Sequence, residues 1–504
     1  MGVEPQLRCR VPAARGAAGV AAGDNDGNDL PPGSPLTPWG SMFAIWGRDE
    51  RDEPEVGGRP DVVIHAVMTF ADGAPSYEAL LELVNSKLLC HKRFRRRIQV
   101  EERGDPLWIP CQVDAAEHIR SLRMAGPTGG SDQLGADTEL MAHVQRDLSA
   151  PMPAGRPPWE VQRIEYTDAA GGALHWKIHH AIGDGISLAS LLLGFVDGGM
   201  PEMPGDSARS TAAPVPRSLL ARLAHTGARA AAFAYNTAVA LSRATYLLFV
   251  PDLPSAVRAQ GVLYRKWAKR RIALSPEMPL AEVKAIGRSL GAATVNDVVM
   301  TAVAGGLARY EKRHGCPPCG KRLTGSMVVN IRPMKGIQAD IARSEAGEDA
   351  HWGNRIGPIF CPMAVFNPDG SDIDPRSRLL KMHSFLAPKK VSLEPLILAW
   401  VINTAGKLIG TDMSYWLTNR LGMATSIVVS NVPGPQEPIS IGGKAVTDLF
   451  NTANGSPLGA TFSFLSYNGS IRLALITPCA VVPEPAELVQ DVMDSLTELR
   501  EALL

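Results

Sequence analysis

The stretch that decides the fold is His179-His180-Ala181-Ile182-Gly183-Asp184-Gly185. Before it, residues Leu174–Ile178 alternate apolar and polar side chains, and this period of two predicts a half-buried strand. After it, residues Ile186–Leu193 are largely apolar and are typical of a buried helix. The two glycines of the stretch are expected to bend the chain between these elements. The stretch therefore predicts a strand, a turn and a helix, with two histidines at the turn.

The alternation places the two histidines on opposite faces of the predicted strand. His180 shares the buried parity of Trp176, whereas His179 shares the parity of Lys177 and is expected to turn outward. An imidazole titrates near neutral pH, so a histidine at a strand end beside a carboxylate suits a general base. His180 is therefore the candidate base.

Three other interpretations of the same residues stay open. Two adjacent histidines are commonly a satisfied core or surface pair, and Asp184 is well placed to cap the following helix. His180 and Asp184 are also four residues apart, as two zinc ligands on a helix would be. The glycines disfavour such a helix, however, and no further ligand lies nearby in the sequence. We therefore expect no metal site here.

Length and composition limit the class of protein. A chain of 504 residues is too long for one core and predicts two domains, and its hydrophobic content of 45% is that of a globular protein. Lysine and arginine balance aspartate and glutamate, so no overall basic field indicates nucleic acid binding. The seven cysteines are odd in number and scattered, which suggests reduced thiols. We expect the Cys316–Cys319 pair in a loop rather than in a redox or zinc site.

Shifts in composition divide the chain into four segments. Residues 1–30 are rich in small and polar side chains and are expected to be disordered, although a short transit peptide stays open. Residues 31–196 form the expected N-terminal domain, and residues 271–504 form the C-terminal one. Residues 197–270 begin without clear periodicity and are expected to cross between the domains.

The crossover segment contains a candidate membrane-associated helix. Ala230–Ser242 is uncharged but too short to span a bilayer, which needs about 20 residues, so we expect a buried or an interfacial helix. An earlier basic run, Lys92–Arg97, is either a solvated face or a site for CoA phosphates or anionic lipid. Basic residues that favour an anionic surface also follow the apolar helix; they are Arg265, Lys266, Lys269, Arg270 and Arg271.

Strands and helices alternate through both halves, which predicts the α/β class. In the first half we expect a strand over 61–68, a helix capped by Ser76, and a strand over Val161–Glu165 that pairs with the one before His179. In the second half the predicted helices are Met278–Leu290, Thr294–Tyr310, Leu396–Ile409 and Pro485–Leu503, and the predicted strands are Met327–Ile331, Pro358–Met363, Ser426–Asn431, Ala460–Tyr467 and Ile471–Ile476.

Five separated blocks carry a family resemblance. Besides His179–Gly185, they are Ala293–Val298, Val328–Pro333, Trp352–Asn354 and Ser430–Glu437. The first block resembles the active-site motif of CoA-dependent acyltransferases of the chloramphenicol-acetyltransferase-like superfamily. Together the blocks resemble the plant-type wax ester synthase/diacylglycerol acyltransferase family, from about residue 36 to the C-terminus.

This resemblance implies a fold and roles for particular residues. The implied fold has two chloramphenicol-acetyltransferase-like domains, each a mixed β-sheet flanked by helices, with a substrate tunnel between them. His180 is the implied base, beside its motif neighbours His179 and Gly185. Asp184 is implied to hold the loop through an arginine, for which Arg332 is one candidate.

The family's other blocks imply supporting residues and one departure. Asn296 matches a family position that supports the active site, and either Asn296 or Asp297 could orient His180. The family's Pro-Leu-Trp block is similar to Pro157-Pro158-Trp159, where Pro158 replaces leucine and is expected to reshape the substrate tunnel.

The implied reaction transfers a long-chain acyl group from acyl-CoA, a co-substrate rather than a cofactor, to a fatty alcohol or diacylglycerol. A base that removes the alcohol proton contributes roughly 10²–10⁴-fold. No serine or cysteine stands in a nucleophile elbow, so we expect direct transfer. Such apolar substrates imply a membrane surface or lipid droplet as partner, with peripheral or monotopic attachment to the cytosolic face of the endoplasmic reticulum. A related acyltransferase with another alcohol or amine acceptor, and a non-catalytic lipid-binding protein, are the alternatives.

Overall fold

Two large β-sheets, one built mainly from each half of the chain, form the framework of the molecule. A small third sheet of three short strands is formed by the N-terminal part of the chain, within residues 34–110. The structure is a computed structural model, and it describes residues 33–45, 62–100, 105–127, 138–198, 219–250, 252, 255–258, 269–291, 293–315, 323–331, 353–453 and 459–504.

The strands and helices alternate along the chain, as the α/β prediction requires. The strands are β1 Ser34–Pro35, β2 Val63–Phe70, β3 Arg96–Gln99, β4 Leu107–Pro110, β5 Ile119–Met124, β6 Trp159–Tyr166, β7 Gly172–His179, β8 Arg270–Leu274, β9 Met278–Pro279, β10 Thr324–Asn330, β11 Ile356–Pro362, β12 Ile427–Pro433, β13 Ser440–Ile441, β14 Lys444–Ala453, β15 Ala460–Tyr467 and β16 Ser470–Pro478. The α-helices are α1 Pro38–Ile45, α2 Tyr77–Leu83, α3 Glu139–Asp147, α4 Gly185–Leu193, α5 Leu219–Phe249, α6 Leu280–Ser289, α7 Val295–Arg313, α8 Pro375–Lys390, α9 Glu394–Leu408, α10 Thr411–Met423 and α11 Pro485–Leu503.

Both large sheets are mixed, which confirms the predicted fold class. The N-terminal sheet has the strand order β13-β14-β2-β7-β6-β5, and only β5 and β6 are parallel neighbours among its long strands. The C-terminal sheet has the order β11-β10-β12-β15-β16-β8, with β10, β12 and β15 parallel to one another. The predicted pairing of β6 with the strand before the two histidines is present, with Trp159 opposite Ile178.

One strand pair crosses between the expected domains. β13 and β14 lie within the segment expected to form the C-terminal domain, yet β14 pairs antiparallel with β2 over Ile64–Phe70 and completes the N-terminal sheet. Apolar side chains from both sequence halves therefore share one N-terminal core, in which Val446 and Leu449 pack with residues of β2 and β7. The spatial division of the molecule differs in this respect from a simple split along the sequence.

Strand β7 is buried on both faces, so the predicted half-buried strand is wrong. Every residue of Gly172–His179 is buried, and Lys177 and His179 are each only 4% exposed. The reason is that helix α3 and the edge of the C-terminal sheet cover the face that the alternation assigned to solvent. Leu140 of α3 and Ile272 of β8 belong to the core cluster on that side.

The helix predictions hold in their main features. Ser76 caps α2 through a hydrogen bond from the Ala79 N–H (3.1 Å), and Thr294 and Asp297 form a capping box at the start of α7. Helix α11 begins and ends where the sequence predicted. Helix α6 begins two residues later than predicted, because Met278 and Pro279 pair with the edge of β16 as strand β9.

The crossover segment differs more from its prediction. Its helix, α5, has 31 residues and begins eleven residues before the apolar run at Ala230. Within the described residues, no helix is long and apolar enough to cross a bilayer. The predicted basic surface is wrong for Arg270, which is 8% exposed within β8. The Arg271 side chain stays 42% exposed and pairs with Glu484 at 2.5 Å.

Four of the sequence predictions lie outside the described residues. These are the disorder of residues 1–30, the loop at Cys316–Cys319, the basic residues Arg265 and Lys266, and the role of Arg332.

Candidate active site

A cavity of about 340 Å³ lies between the two large sheets, beyond the end of β7. Its wall is mostly apolar and comes from β2, β10, β11, β12, β14 and β15 and from helices α1, α4, α7, α9 and α10. A mostly apolar wall is the usual form of a site for an apolar ligand. Seven serine and threonine residues also line it. The charged, imidazole and amide side chains of the wall are His180, Asp184, Asn296, Asn330, Asn431 and Asn451.

His180 is brought to this cavity by the end of β7. Its backbone N–H donates to the carbonyl oxygen of Val62 (2.7 Å), which continues the pairing with β2 by one residue. Its ring lies against Phe43 of α1, with ring centroids 4.2 Å apart. Strand parity therefore placed this side chain correctly on the side of Trp176, although β7 itself ends at His179.

The side chain of Asn354 determines which nitrogen of His180 carries the proton. The Asn354 Nδ2 donates to the carbonyl oxygen of His180 (2.8 Å), and a carbonyl oxygen can only accept. The Oδ1 of Asn354 therefore faces the ring, 3.0 Å from His180 Nδ1, and requires a proton on that nitrogen. The neutral ring consequently keeps the lone pair on Nε2, which can accept a proton.

The environment of His180 favours the neutral imidazole. Desolvation lowers the pKa of His180 below its usual value, and the Asp184 carboxylate and the Asn354 side chain oppose this shift. At neutral pH the ring is thus unprotonated, the state that a general base requires.

Asp184 holds the loop that follows the histidines. Its Oδ1 accepts the N–H of Ser187 (2.9 Å) and caps α4, as the N-cap interpretation predicted. Its Oδ2 accepts the backbone N–H of Arg355 (2.8 Å), which lies next to Asn354. The buried carboxylate therefore joins the start of α4 to the residue beside the ring's hydrogen-bond partner.

The structure separates Asn296 from Asp297. Asn296 lines the cavity, and its Oδ1 accepts a hydrogen bond from Asn431 Nδ2 (2.7 Å). Asp297 is buried on the other side of α7, where it accepts hydrogen bonds from Thr294 N–H (2.6 Å) and Lys390 Nζ (2.8 Å). Desolvation alone would raise the pKa of Asp297, but these hydrogen bonds hold it below the usual value. Asp297 therefore organises the start of α7. Asn354 makes the hydrogen bond that orients His180, for which the resemblance had suggested Asn296 or Asp297.

His179 faces the interior rather than solvent, which corrects the sequence prediction. Its Nδ1 accepts the backbone N–H of Ala181 (3.1 Å), and its carbonyl oxygen accepts the N–H of Ile182 (3.0 Å). These bonds form the tight turn that directs His180 into the cavity. His179 is thus a structural neighbour of the candidate base.

Gly185 lies in the wall of two cavities. It lines the main cavity and a narrower apolar one of about 40 Å³, and Ile64, Val432 and Asn451 also line both. A side chain at this position would reach ordinary contact with Val432 Cγ2 (3.6 Å), so packing alone does not demand glycine. Neither Gly183 nor Gly185 has a positive φ, so the predicted glycine bend forms without left-handed backbone.

The sequence analysis assigned no role at this site to Arg93 or Gly353. Arg93, from the basic run at 92–97, donates to the carbonyl oxygen of Ile182 (3.0 Å) and so supports the turn after His180. Gly353 has a φ of +123°, and a Cβ there would lie 2.5 Å from the Arg93 guanidinium. The Trp352–Asn354 block carried a signal for Asn354 as part of the resemblance, but no role could be assigned to it.

A second polar cluster lies on the opposite face of β7. His143, Asp147 and His175 have side-chain atoms close enough to surround a metal ion. The Lys177 ammonium lies 3.1 Å from Asp147 and already supplies a positive charge there. Gln162 accepts from His143 and donates to Asp147 at 2.5 and 2.6 Å, so the cluster is held by hydrogen bonds without requiring a metal.

The comparison with known families decides the identity of the chain. The wax ester synthase/diacylglycerol acyltransferase catalytic domain matches residues 62–299, and the C-terminal domain of the same family matches residues 352–500. The chain belongs to this family. The resemblance drawn from the five sequence blocks is confirmed, and the protein is an acyltransferase of the wax ester synthase/diacylglycerol acyltransferase type.

Relatives from Arabidopsis thaliana match over most of their length. Wax ester synthase/diacylglycerol acyltransferase 5 is 27% identical over 451 residues, which cover 84% of this chain and 87% of the relative. Wax ester synthase/diacylglycerol acyltransferase 4 is 26% identical over 438 residues, with 82% of both chains covered.

Solved structures share the fold. The wax ester synthase/diacylglycerol acyltransferase from Marinobacter aquaeolei superposes with a TM-score of 0.59 at 20% identity, covering 93% of this chain and 100% of that one. The trichothecene 15-O-acetyltransferase from Fusarium sporotrichioides has a TM-score of 0.55 at 10% identity, covering 93% and 94%. The first condensation domain of the CDA synthetase has a TM-score of 0.54 at 13% identity, covering 94% and 98%. The wax ester synthase/diacylglycerol acyltransferase fold is thus shared with condensation domains.

Proposed function

We propose that the protein transfers a long-chain acyl group from acyl-CoA to a fatty alcohol or diacylglycerol, with His180 as the general base. The observation that carries this proposal is the hydrogen bond from His180 Nδ1 to Asn354, which leaves Nε2 as the proton acceptor. That nitrogen belongs to a neutral ring in the wall of an apolar cavity.

The proposed reaction is a direct transfer in two steps. The alcohol oxygen attacks the thioester carbonyl carbon while its proton passes to His180 Nε2, because an unactivated alcohol is a poor nucleophile. The tetrahedral intermediate then collapses, the carbon–sulfur bond breaks, and the CoA thiolate takes the proton from the imidazolium. The ester and free CoA are the products, and His180 returns to its neutral form.

The cavity wall supports long apolar substrates. It is formed in part by residues such as Trp39, Met42, Phe360 and Leu421, which suit hydrocarbon chains. His180 lies in the same wall, so the ester bond would form there. Asp184, Gly185, Asn296 and the turn at His179 belong to the same proposed site as supporting residues; Asp297 is assigned to the start of α7 and Arg332 stays a candidate from the resemblance.

The test is a transfer assay with released CoA and ester product as two readouts. Purified protein is mixed with palmitoyl-CoA and, in turn, hexadecanol, diacylglycerol and a long-chain amine. We expect ester formation that matches CoA release, and the His180→Ala variant serves as the control for thioester hydrolysis. Amide formation with no ester would favour the alternative acceptor class. Binding of palmitoyl-CoA without any transfer would favour the non-catalytic lipid-binding protein.

We also propose peripheral or monotopic attachment to a lipid surface, on the cytosolic face of the endoplasmic reticulum or on a lipid droplet. The support is the chemistry of the proposed substrates, which reside in lipid phases. Fractionation of cells that express the tagged full chain tests this, with high salt and detergent washes of the membrane pellet. Protein found only in the high-speed supernatant would contradict it.

A further inference from the structure

Large exposed apolar side chains concentrate on helices α5, α9 and α10. The most exposed aromatic residues there are Tyr235 and Phe249 of α5, at 70% and 74%, Trp400 of α9 at 65% and Trp416 of α10 at 57%. Leu408, the last residue of α9, is 79% exposed. A contiguous exposed apolar patch normally marks a site of interaction.

On α5 the exposed residues form one stripe. Tyr235, Val239 and Phe249 are spaced four and ten residues apart, which at about 100° per residue puts them within a narrow sector of the helix. Ala240 and Leu247, on the opposite sector, are buried against the protein. From Thr237 onward the stripe is therefore the outer face of a helix whose other face is packed, whereas residues 227–235 are exposed on all sides.

The three helices lie side by side. Arg420 of α10 donates through Nε to the carbonyl oxygen of Leu248 (2.7 Å), and the Leu393 N–H before α9 donates to Thr237 of α5 (3.0 Å). Leu247, Leu398 and Leu421 from the three helices share one buried cluster beneath them. We call the outer faces of α5, α9 and α10 the three-helix apolar surface.

Two of these helices also form the wall of the active-site cavity. Ile402 of α9 and Thr418 of α10 line the cavity, and each follows an exposed tryptophan by two residues. Two residues turn an α-helix by about 200°, so Trp400 and Ile402 point in nearly opposite directions, as do Trp416 and Thr418. The cavity and the exterior apolar surface are thus separated by the thickness of single helices.

The three helices carry a net positive charge. Helix α5 contains three arginines, of which Arg229 is exposed, and no acidic residue. Helices α9 and α10 add Lys407 and Arg420, and their acidic residues are the buried Glu394 and the exposed Asp412. Tryptophan and tyrosine prefer the boundary between lipid tails and headgroups, and basic residues beside them attract anionic headgroups. The combination fits an anionic bilayer.

We propose that the three-helix apolar surface docks on an anionic bilayer and that the lipid acceptor enters the cavity from it, between or beside α9 and α10. This inference rests on the proposed function for the nature of the acceptor. It assigns membrane docking to residues in both the crossover segment and the C-terminal half, rather than to the crossover helix and the basic residues at 265–271 alone.

The experiment compares two acceptors with one water-soluble donor. Octanoyl-CoA is supplied with hexadecanol dissolved in vesicles of phosphatidylcholine and phosphatidylserine, or with hexanol in solution. The Trp400→Ser/Trp416→Ser variant should lower the protein fraction that floats with the vesicles by on the order of tenfold or more, because two large apolar contacts are lost. Turnover of hexadecanol should fall in parallel, and turnover of hexanol should stay at the wild-type level.

The matched control replaces exposed apolar residues outside the surface. The Leu380→Ser/Leu504→Ser variant removes side chains that are 48% and 64% exposed on α8 and at the end of the chain, and it should float and react like the wild type. Flotation of the tryptophan variant at the wild-type level would overturn the proposal. Equal loss of hexanol and hexadecanol turnover would overturn the entry role of the surface.

Two further outcomes separate the inference from its alternatives. If sedimentation velocity without lipid shows a wild-type dimer that the tryptophan variant dissociates, and vesicle binding is unchanged, the surface joins two copies and the proposal is wrong. If the wild-type protein floats through this surface but transfers no acyl group to either acceptor, the proposed function fails while docking stands.

Discussion

Buried histidines lie on both sides of the sheet at β7, and among the described residues His180 lines the active-site cavity. Desolvation lowers the pKa of His180 on one side and of His65 and His175 on the other. The ring of His180 uses Nδ1 to bind Asn354 and lines the cavity. His175 lies between two neighbours, with His65 at 2.9 Å and Gln162 at 3.2 Å.

The difference teaches that a lowered pKa does not by itself identify a catalytic histidine. Both sites also contain carboxylates, but Asp184 accepts backbone N–H groups near His180, whereas Asp147 pairs with Lys177. The histidines opposite the cavity belong to a polar cluster, whereas His180 combines a lowered pKa with a place in the cavity wall. Variants on the two sides should therefore affect different properties.

The largest expected effect is the loss of turnover in His180→Ala. Removal of a general base should lower turnover by roughly two to four orders of magnitude, while the fold and acyl-CoA binding survive. His175→Asn, on the other side of the sheet, should lower the melting temperature but leave the turnover of the folded protein close to wild type. Steady-state transfer to hexadecanol, together with a thermal melt of each variant, checks both. Near-normal turnover of His180→Ala would remove the distinction between the two sides.

Replacement of Asn354 should have the next largest effect. Without its two hydrogen bonds the ring of His180 is misplaced, so Asn354→Ala should lower turnover by roughly tenfold to a hundredfold. Asn354→Asp adds a negative charge beside the ring and should raise the pKa of His180, which moves the acidic limb of the pH–rate profile to higher pH. In the wild type that limb should lie below pH 6.5, since the pKa of His180 is lowered. An unchanged limb in Asn354→Asp would mean that Asn354 does not act through His180.

Replacement of Asp184 should act mainly on stability. Two hydrogen bonds to a buried carboxylate are lost in Asp184→Ala, which should lower the free energy of unfolding by about 2–4 kcal/mol. Asp184→Asn keeps an acceptor oxygen and should lose less. Urea unfolding of both variants measures the difference. A wild-type unfolding free energy for Asp184→Ala would show that the loop does not depend on this carboxylate.

The smallest effect concerns acid stability and belongs to the polar cluster on the other face of β7. Burial lowers the pKa of His65 from 6.5 to about 3, so between these values the unfolded chain binds a proton that the folded one does not. Stability is thus complete above pH 6.5 and falls as the pH drops, by about 2 kcal/mol at pH 5 from this residue. Urea unfolding at pH 7, 6 and 5 gives the slope, and His65→Asn should flatten it. The same slope in the variant would assign acid sensitivity to other groups.

The sequence predicted which face of the sheet carries His180, but it did not predict which residues His180 and Lys177 contact. Alternation placed His180 beside Trp176 correctly, because side-chain parity is a local property of the strand. The same alternation placed Lys177 in solvent, since it carries no information about Asp147, which lies thirty residues earlier and neutralises the ammonium inside the protein. The burial of a charge depends on a tertiary partner, and a local pattern cannot reveal it.

Asn354 illustrates the same limit at the site itself. It lies 174 residues after His180, in a polar loop without periodicity. Its Trp-Gly-Asn block contributes to the family resemblance, but the hydrogen bond to the ring depends on how the two sheets meet. In the sequence, Arg93 was likewise only one member of a basic run. Its hydrogen bond to the turn at Ile182 depends on the tertiary fold.

The crossing of β14 into the N-terminal sheet has a consequence for synthesis of the chain. When β2 leaves the ribosome, its partner along Val446–Ala453 has not yet been made, and about 380 residues separate the paired strands. At roughly 5–20 residues per second, β2 waits on the order of 20–80 seconds with one edge unpaired. An unpaired apolar edge is a site of aggregation, so the nascent chain depends on protection during that interval. Neither half of the chain, expressed alone, contains all the strands of the N-terminal sheet, which positions His180.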